Sequence, residues 1–523
     1  TRQVTFKEAL SPAAFTFLVD GLTGLAKAVN LGSIPNKVLS ESYFAGEVGE
    51  EKLDYTFNYK GAAGSQSVRS TQTSFYSDSY IRATAPSISP DDRLSLQRTF
   101  KGEITDTDAT SKYATNKLLS ETVFAGEVSE EKVDYTLNYK GAAGSETVRN
   151  TQVSFYSEAN TRAGSASPDD ELNLQRTFKG GFASDGDESY LVEDVTSSDR
   201  YLDNKLLSET YFEGAVTEEK ADYTLNYKGT AGSETVRNTQ VNFYGGDDLR
   251  AIDSSIGPDD ELTRQVTFKE ALSAGEFTFL VDGLTGLAKA VNLGSIPNKV
   301  LSESFFAGEV GEEKLDYTFN YKGAAGSQEV RSTQTSFYSD SYIRATAPSI
   351  SPDDRLSLQR TFKGEITDTD ATSKYATNKL LSETVFAGEV SEEKVDYTLN
   401  YKGAAGSETV RNTQVSFYSE ANTRAGSASP DDELNLQRTF KGGFASDGDE
   451  SYLVEDVTSS DRYLDNKLLS ETYFEGAVTE EKADYTLNYK GTAGSETVRN
   501  TQVNFYGGDD LRAIDSSIGP DDE

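Results

Sequence analysis

One stretch, Asn116–Tyr156, recurs without a gap at Asn36–Tyr76 and Asn204–Tyr244, and again at Asn298–Tyr338, Asn378–Tyr418 and Asn466–Tyr506. A unit written six times restricts the chain to architectures in which one supersecondary module is copied and neighbouring copies bury one another's faces.

The module reads as β. In Val133–Lys140 the residues Val133, Tyr135, Leu137 and Tyr139 alternate with Asp134, Thr136, Asn138 and Lys140. That is the period of two of a half-buried strand. Gly141-Ala142-Ala143-Gly144-Ser145 then separates this run from Glu146–Tyr156, rich in Val, Thr, Phe and Tyr. Two such runs joined by a short glycine-bounded loop predict a hairpin. Lys117–Val128 supplies a further run, and Leu94–Lys101, with Leu94, Leu96 and Phe100 in alternation, supplies a fourth. Roughly four strands per unit form a meander whose apolar face needs cover.

A second level of order lies above the first. Thr1 recurs as Thr263, and the two halves differ only at Pro12/Ala274, Ala13/Gly275, Ala14/Glu276, Tyr43/Phe305 and Ser67/Glu329. The expected organisation is an all-β repeat protein of six homologous antiparallel units, two near-identical blocks of three. The boundaries are 1–93 with a helical insert, 94–171, 172–261 with an acidic insert, and their copies 262–355, 356–433 and 434–523. Each unit averages about 87 residues, the size of a small domain.

The connectors differ in kind. Phe15, Leu18, Leu22, Leu25, Ala26 and Val29 share one helical face, with Ser11-Pro12 as a start and Gly32 as a stop, and the segment returns at Phe277–Val291. The next connector is short and polar (Glu103–Thr110), and the third is long and acidic (Ser184–Asp203). Units close on Ser89-Pro90-Asp91-Asp92, Ser167-Pro168-Asp169-Asp170 and Gly257-Pro258-Asp259-Asp260, which predict turns with aspartate caps.

Composition excludes several chemistries. The net charge is −36, from 86 acidic and 50 basic residues, which disfavours nucleic acid and anionic membranes as partners. With no His and no Cys, Ser–His–Asp and Cys–His sites, disulfides and thiolate metal sites are impossible. Neither a phosphate-cradling glycine loop with its lysine nor a dinucleotide fingerprint is present, and no apolar run reaches a spanning length. The chain opens on Thr1, as a processed chain or a partial sequence would; a secreted or cell-surface setting is expected, although no signal segment is visible.

Two sets of carboxylates merit weighing. Glu130 and Glu131 are the candidate pair for glycoside hydrolysis, against the plainer reading of a solvated turn. Asp106 and Asp108, and Asp185, Asp187 and Glu188, space oxygen ligands as calcium loops do, without completing the pattern. No catalytic, cofactor or metal site is therefore assigned, and no enzyme activity or cofactor is expected. The expected role is a structural scaffold, linker or surface/adhesion protein presenting repeated docking faces to protein partners, engaged as several equivalent copies or by self-assembly. The rivals are a carbohydrate-binding or carbohydrate-acting propeller and a calcium-stiffened adhesin. A membrane barrel of about 24 strands is disfavoured by the mixed charge on its would-be lipid face.

Overall fold

A computed structural model of the chain describes residues 2–6, 37–61, 66–104, 116–141, 143–182, 195–196, 204–277, 298–325, 327–366, 378–429, 432–444, 457–458, 466–476, 478, 481–507 and 510–515. The described residues form twenty-five strands, so the chain is an all-β repeat protein as its periodicity predicts. Among them no helix is long and apolar enough to cross a membrane. The chain divides into two compact units, Thr1–Thr235 and Val236–Glu523.

The second repeat serves as the reference. Its first strand is Leu94–Lys101, its second Leu118–Ala125, its third Lys132–Lys140 and its fourth Thr147–Tyr156. Each pairs antiparallel with the next in sequence, and the fourth pairs with Leu172–Lys179, the first strand of the following repeat. In the first unit the ladder begins with Arg2–Phe6 on Val38–Ala45 and continues through Leu206–Glu213 on Lys220–Lys228. In the second it runs from Thr235–Tyr244 on Leu262–Phe268 to Lys482–Lys490 on Thr497–Val503. The ladder crosses every described repeat junction unbroken, whereas a propeller divides its strands into separate blades.

Register recurs with the sequence. Thr177 opposes Ser208 and Gln175 opposes Thr210 within repeat three, and Thr361 opposes Ser382 within repeat five. A bulge falls at the same place in both, between Thr177 and Phe178 and between Thr361 and Phe362. Such a bulge admits one extra residue and re-aims the side chains beyond it.

The two faces differ sharply. On one, Val153, Phe155, Phe178 and Leu206 are fully buried. In the second unit Val415, Phe417, Leu436, Phe440, Leu468 and Tyr489 form a cluster that also takes in Val457, from the connector between first and second strands. Burial of each such side chain stabilises by about 1.5–3 kcal/mol. The other face carries Ser120, Thr122, Thr136, Asn138, Asn150, Gln152, Gln175 and Thr177, opposed in register. Thr122 and Thr136 meet through their hydroxyls at 3.1 Å, and the Asn138 amide donates to Asn150 Oδ1 at 2.9 Å.

The predicted helix at Phe15–Val29 lies outside the described residues, as does its copy beyond Phe277. The start of that copy is described: Ala274–Phe277 is helical, and Ser273 and Glu276 cap it reciprocally. Ser273 Oγ donates to Glu276 Oε2 at 2.8 Å, and the Ser273 N–H donates to the same oxygen at 2.7 Å.

Candidate functional site

The apolar face holds a charged cluster at each repeat junction. Arg98, from a first strand, donates from Nε to Glu121 Oε1 on the second strand at 2.8 Å. Tyr139, on the third strand, donates its hydroxyl to Glu121 Oε2. The Arg98 guanidinium also lies 5.2 Å from the ring of Phe75 on the preceding fourth strand. One row of side chains thus ties four strands across a repeat boundary. The same row recurs as Phe155–Arg176–Glu209–Tyr227, Phe243–Arg264–Glu303–Tyr321, Phe337–Arg360–Glu383–Tyr401 and Phe417–Arg438–Glu471–Tyr489. Glu209 and Glu471 are 0% exposed, so the cluster cannot meet a solute and its chemistry is cohesive. A buried carboxylate of this kind persists because guanidinium and hydroxyl satisfy it together.

A second ion pair pins the loop that follows each fourth strand. Arg82 pairs with Asp54, Arg162 with Asp134, Arg344 with Asp316 and Arg424 with Asp396, at 2.6–2.8 Å. The alternation places Asp134 with Thr136 on the polar face. A bulge beside Tyr135 changes that, and Asp134 takes two bonds from Arg162. Arg162 in turn donates to the backbone oxygen of the buried Val195 at 2.8 Å.

Of the two carboxylates weighed for hydrolysis, Glu131 has a structural partner. Glu131 Oε1 accepts the Leu94 N–H at 2.9 Å, and Glu219, Glu313, Glu393 and Glu481 accept the corresponding N–H of Leu172, Leu262, Leu356 and Leu434. Glu131 is therefore an anchor for the strand before it and not a purely solvated turn residue. Its neighbour Glu130 is exposed in that turn. The preceding Gly126 has φ +123°, and a Cβ there would stand 2.8 Å from the Glu130 carbonyl oxygen, so the turn requires glycine.

In the closing turns, Asp92, Asp170, Asp260 and Asp354 each accept a backbone N–H three residues earlier at 2.7 Å, which is cap chemistry. Asp106, Asp108, Asp185, Asp187 and Glu188 lie outside the described residues. Among the described residues no group of three or more carboxylates is placed to hold a metal ion.

Lys52 completes the turn from the strand side. Its Nζ donates to the carbonyls of Pro90 and Asp92 at 2.9 and 2.6 Å and rests 5.0 Å from the Tyr76 ring. Tyr76 donates to the Leu53 carbonyl at 2.7 Å, and burial, with Glu131 and Asp54 adding to it, pushes its hydroxyl up to about 12. Tyr43 and Tyr317 also rise to about 12, from burial first. Because the folded values are raised, this stabilisation is intact below pH of about 10 and is lost as pH rises through about 12. An absorbance titration at 295 nm is expected to show a tyrosine class that ionises only as the strands melt; a single step at the ordinary tyrosine value would contradict it.

Shallow clefts lie between these turns. One of about 310 Å³ is bordered by Gly46, Glu50, Lys52 and Pro90, and one of about 530 Å³ occupies the matching place at Gly126, Glu130 and Pro168. Neither brings together an acid, a base and a nucleophile in hydrogen-bonded sequence.

The Arg–Glu–Tyr row was not anticipated from the sequence. Its signal was present: Arg98 shares the alternation of Leu96 and Phe100, so a charge falls where the pattern calls for an apolar residue.

No family model matches the chain. No curated protein matches it. Among solved structures, one titled "Crystal Structure of TcdB2-TccC3-Cdc42" aligns with 10% identity and a TM-score of 0.13, over 95% of this chain and 27% of that chain. The chain thus spans about a quarter of that chain's length, and similarity at this level carries no argument.

Proposed function

We propose that the protein is a non-enzymatic scaffold or surface component that presents repeated, equivalent docking faces to protein partners. The observation behind this reading is the sameness of the repeats. The Arg–Glu–Tyr row, the loop-pinning ion pair and the aspartate-capped turn recur, and none is elaborated into a single site. Copies of one surface at fixed spacing raise avidity for a partner present in several copies, with no new type of contact. The buried charges hold the spacing; the exposed faces and connectors do the meeting.

Lys60, Lys140, Lys228, Lys322, Lys402 and Lys490 each end a third strand at the same place in the repeat. Amine cross-linking in the source material, read by mass spectrometry, is expected to join one partner to these lysines in all three sequence types of repeat. Cross-links confined to one type would overturn the reading.

A second reading has its own support in the uncharged face of Ser, Thr, Asn and Gln hydroxyls and amides. Such a face suits a neutral polysaccharide, and glycan-array binding that resists high salt would favour it over protein docking.

A further inference from the structure

Oxidising equivalents have few side chains to meet in this chain. Cysteine, methionine, tryptophan and histidine are all absent, and 29 tyrosines remain. Three pairs of those tyrosines are placed alike. Tyr43 opposes Tyr55, Tyr211 opposes Tyr223 and Tyr473 opposes Tyr485, each across the second and third strands of its repeat. Their ring centroids stand 4.5, 4.5 and 4.6 Å apart, with the planes tilted by 18°, 15° and 14°. That is offset stacking, with the two rings in contact. All six residues are half-buried, so solvent reaches part of each.

The same position is varied in the other repeats. In repeat four Phe305 stacks on Tyr317 at the same 4.5 Å, and in repeats two and five Val123 and Val385 oppose Tyr135 and Tyr397. Tyr43/Phe305 is one of the few differences between the halves of the chain, and it removes a hydroxyl while the stack is kept. In repeat one a base also stands ready. The Tyr43 hydroxyl donates to Glu41 Oε2 at 3.0 Å. A phenol that gives up an electron becomes strongly acidic, and a carboxylate within hydrogen-bond reach accepts its proton.

We propose that the pairs Tyr43–Tyr55, Tyr211–Tyr223 and Tyr473–Tyr485 are sites of dityrosine cross-linking, internal staples for a chain that has no cysteine to form disulfides. The co-reactant is a one-electron oxidant, two equivalents for each link. Each equivalent takes one electron from one phenol, and the phenolic proton leaves with it, to Glu41 in the case of Tyr43. Rotation out of the stack brings the two ring radicals edge to edge. They join by a carbon–carbon bond ortho to the hydroxyls, and the ring hydrogens displaced there return to the phenolic oxygens. Two electrons and two protons leave the pair in all, and both hydroxyls survive. The link closes the turn between the second and third strands, whatever the repeats dock.

Oxidation of the dilute 523-residue chain with photo-generated tris(bipyridyl)ruthenium(III), followed by trypsin and mass spectrometry, tests it. Peptide Val38–Lys52 is expected to be joined to Leu53–Lys60 through Tyr43 and Tyr55, and Leu206–Lys220 to Ala221–Lys228 through Tyr211 and Tyr223, together with the identical peptides of repeat six. Repeats two, four and five, with Val123, Phe305 and Val385 at this position, are expected to carry no such link. Tyr43→Phe is expected to abolish the first link and spare the others; it folds, because Phe305 already stacks in that place. The triple variant Tyr43→Phe/Tyr211→Phe/Tyr473→Phe is expected to lose most of the dityrosine fluorescence while its remaining tyrosines are untouched. Exposure alone would select Tyr80 and Tyr342, which are 49% and 47% exposed. Links confined to those two, dityrosine undiminished in the triple variant, or no dityrosine at all would overturn the proposal.

Discussion

Replacing Arg176 with methionine is expected to destabilise the junction between repeats two and three by about 3–5 kcal/mol, the cost of leaving a buried charge without its partner. Arg176 Nε stands 2.8 Å from Glu209 Oε1, and their side chains are 7% and 0% exposed. The same guanidinium lies over Phe155, so the row loses its hinge as well as its charge. Because chains of linked repeats do not melt as one two-state body, the loss is best read locally. Amide exchange is expected to quicken in Leu172–Lys179 and Leu206–Glu213 well before the strands of repeat one. The double variant Arg176→Met/Glu209→Leu is expected to regain most of the loss, because no unpaired charge remains. A single variant that exchanges like the parent would show that the cluster contributes little.

The second large effect runs in the opposite direction. Between strands two and four of each repeat, a side chain just before the fourth strand bonds the backbone that opens the second. In repeat one that residue is Gln66, which accepts the Val38 N–H at 2.9 Å and returns a bond to the Val38 carbonyl at 2.6 Å. Gln328 makes the same two bonds to Val300. In the other four repeats the residue is glutamate. Glu146, Glu234, Glu408 and Glu496 accept from Leu118, Leu206, Leu380 and Leu468 through Oε1 at 2.8–2.9 Å. Their Oε2 atoms are buried without a hydrogen-bond partner.

A carboxylate oxygen lacks the proton that the glutamine amide supplies, and a buried polar atom left unmade costs about 1–3 kcal/mol. The variant Glu146→Gln/Glu234→Gln/Glu408→Gln/Glu496→Gln is therefore expected to gain stability of about 1 kcal/mol or more at each site. The sites lie in separate repeats, so the gains add. Gln66→Glu is expected to lose a similar amount in repeat one. Urea denaturation followed by exchange at the second strands measures both. If all four glutamines lowered the midpoint, the second bond seen at Gln66 would be irrelevant to stability.

The sequence discloses the strands because their faces differ at a period of two. Tyr135, Leu137 and Tyr139 against Thr136 and Asn138 suffices to place Lys132–Lys140, and the glycine-bounded loop suffices for the hairpin. The turns were also legible, since a proline followed by two aspartates has few other uses. What alternation could not disclose is which side chains meet across neighbouring strands. Arg98 and Glu121 are 23 residues apart, and their pairing depends on the register of a first strand on a second, set partly by a bulge at Thr99/Phe100. A one-residue slip would send them to opposite faces. The same kind of bulge removes Asp134 from the face that simple alternation assigns it. Glu131 was misjudged for a related reason: its partner, the Leu94 N–H, belongs to a strand 37 residues earlier.

The register between repeats is the claim on which the rest stands, and the absence of cysteine makes it directly measurable. Gln152→Cys with Thr177→Cys places two thiols at opposed positions across the junction of repeats two and three. Mild oxidation is expected to link them, since opposed residues on one face fall within disulfide reach. Thr177→Cys with Val153→Cys, shifted by one residue to the other face, is expected to stay reduced. The first pair open and the second closed would contradict the ladder, and with it the account of neighbouring repeats joined in register.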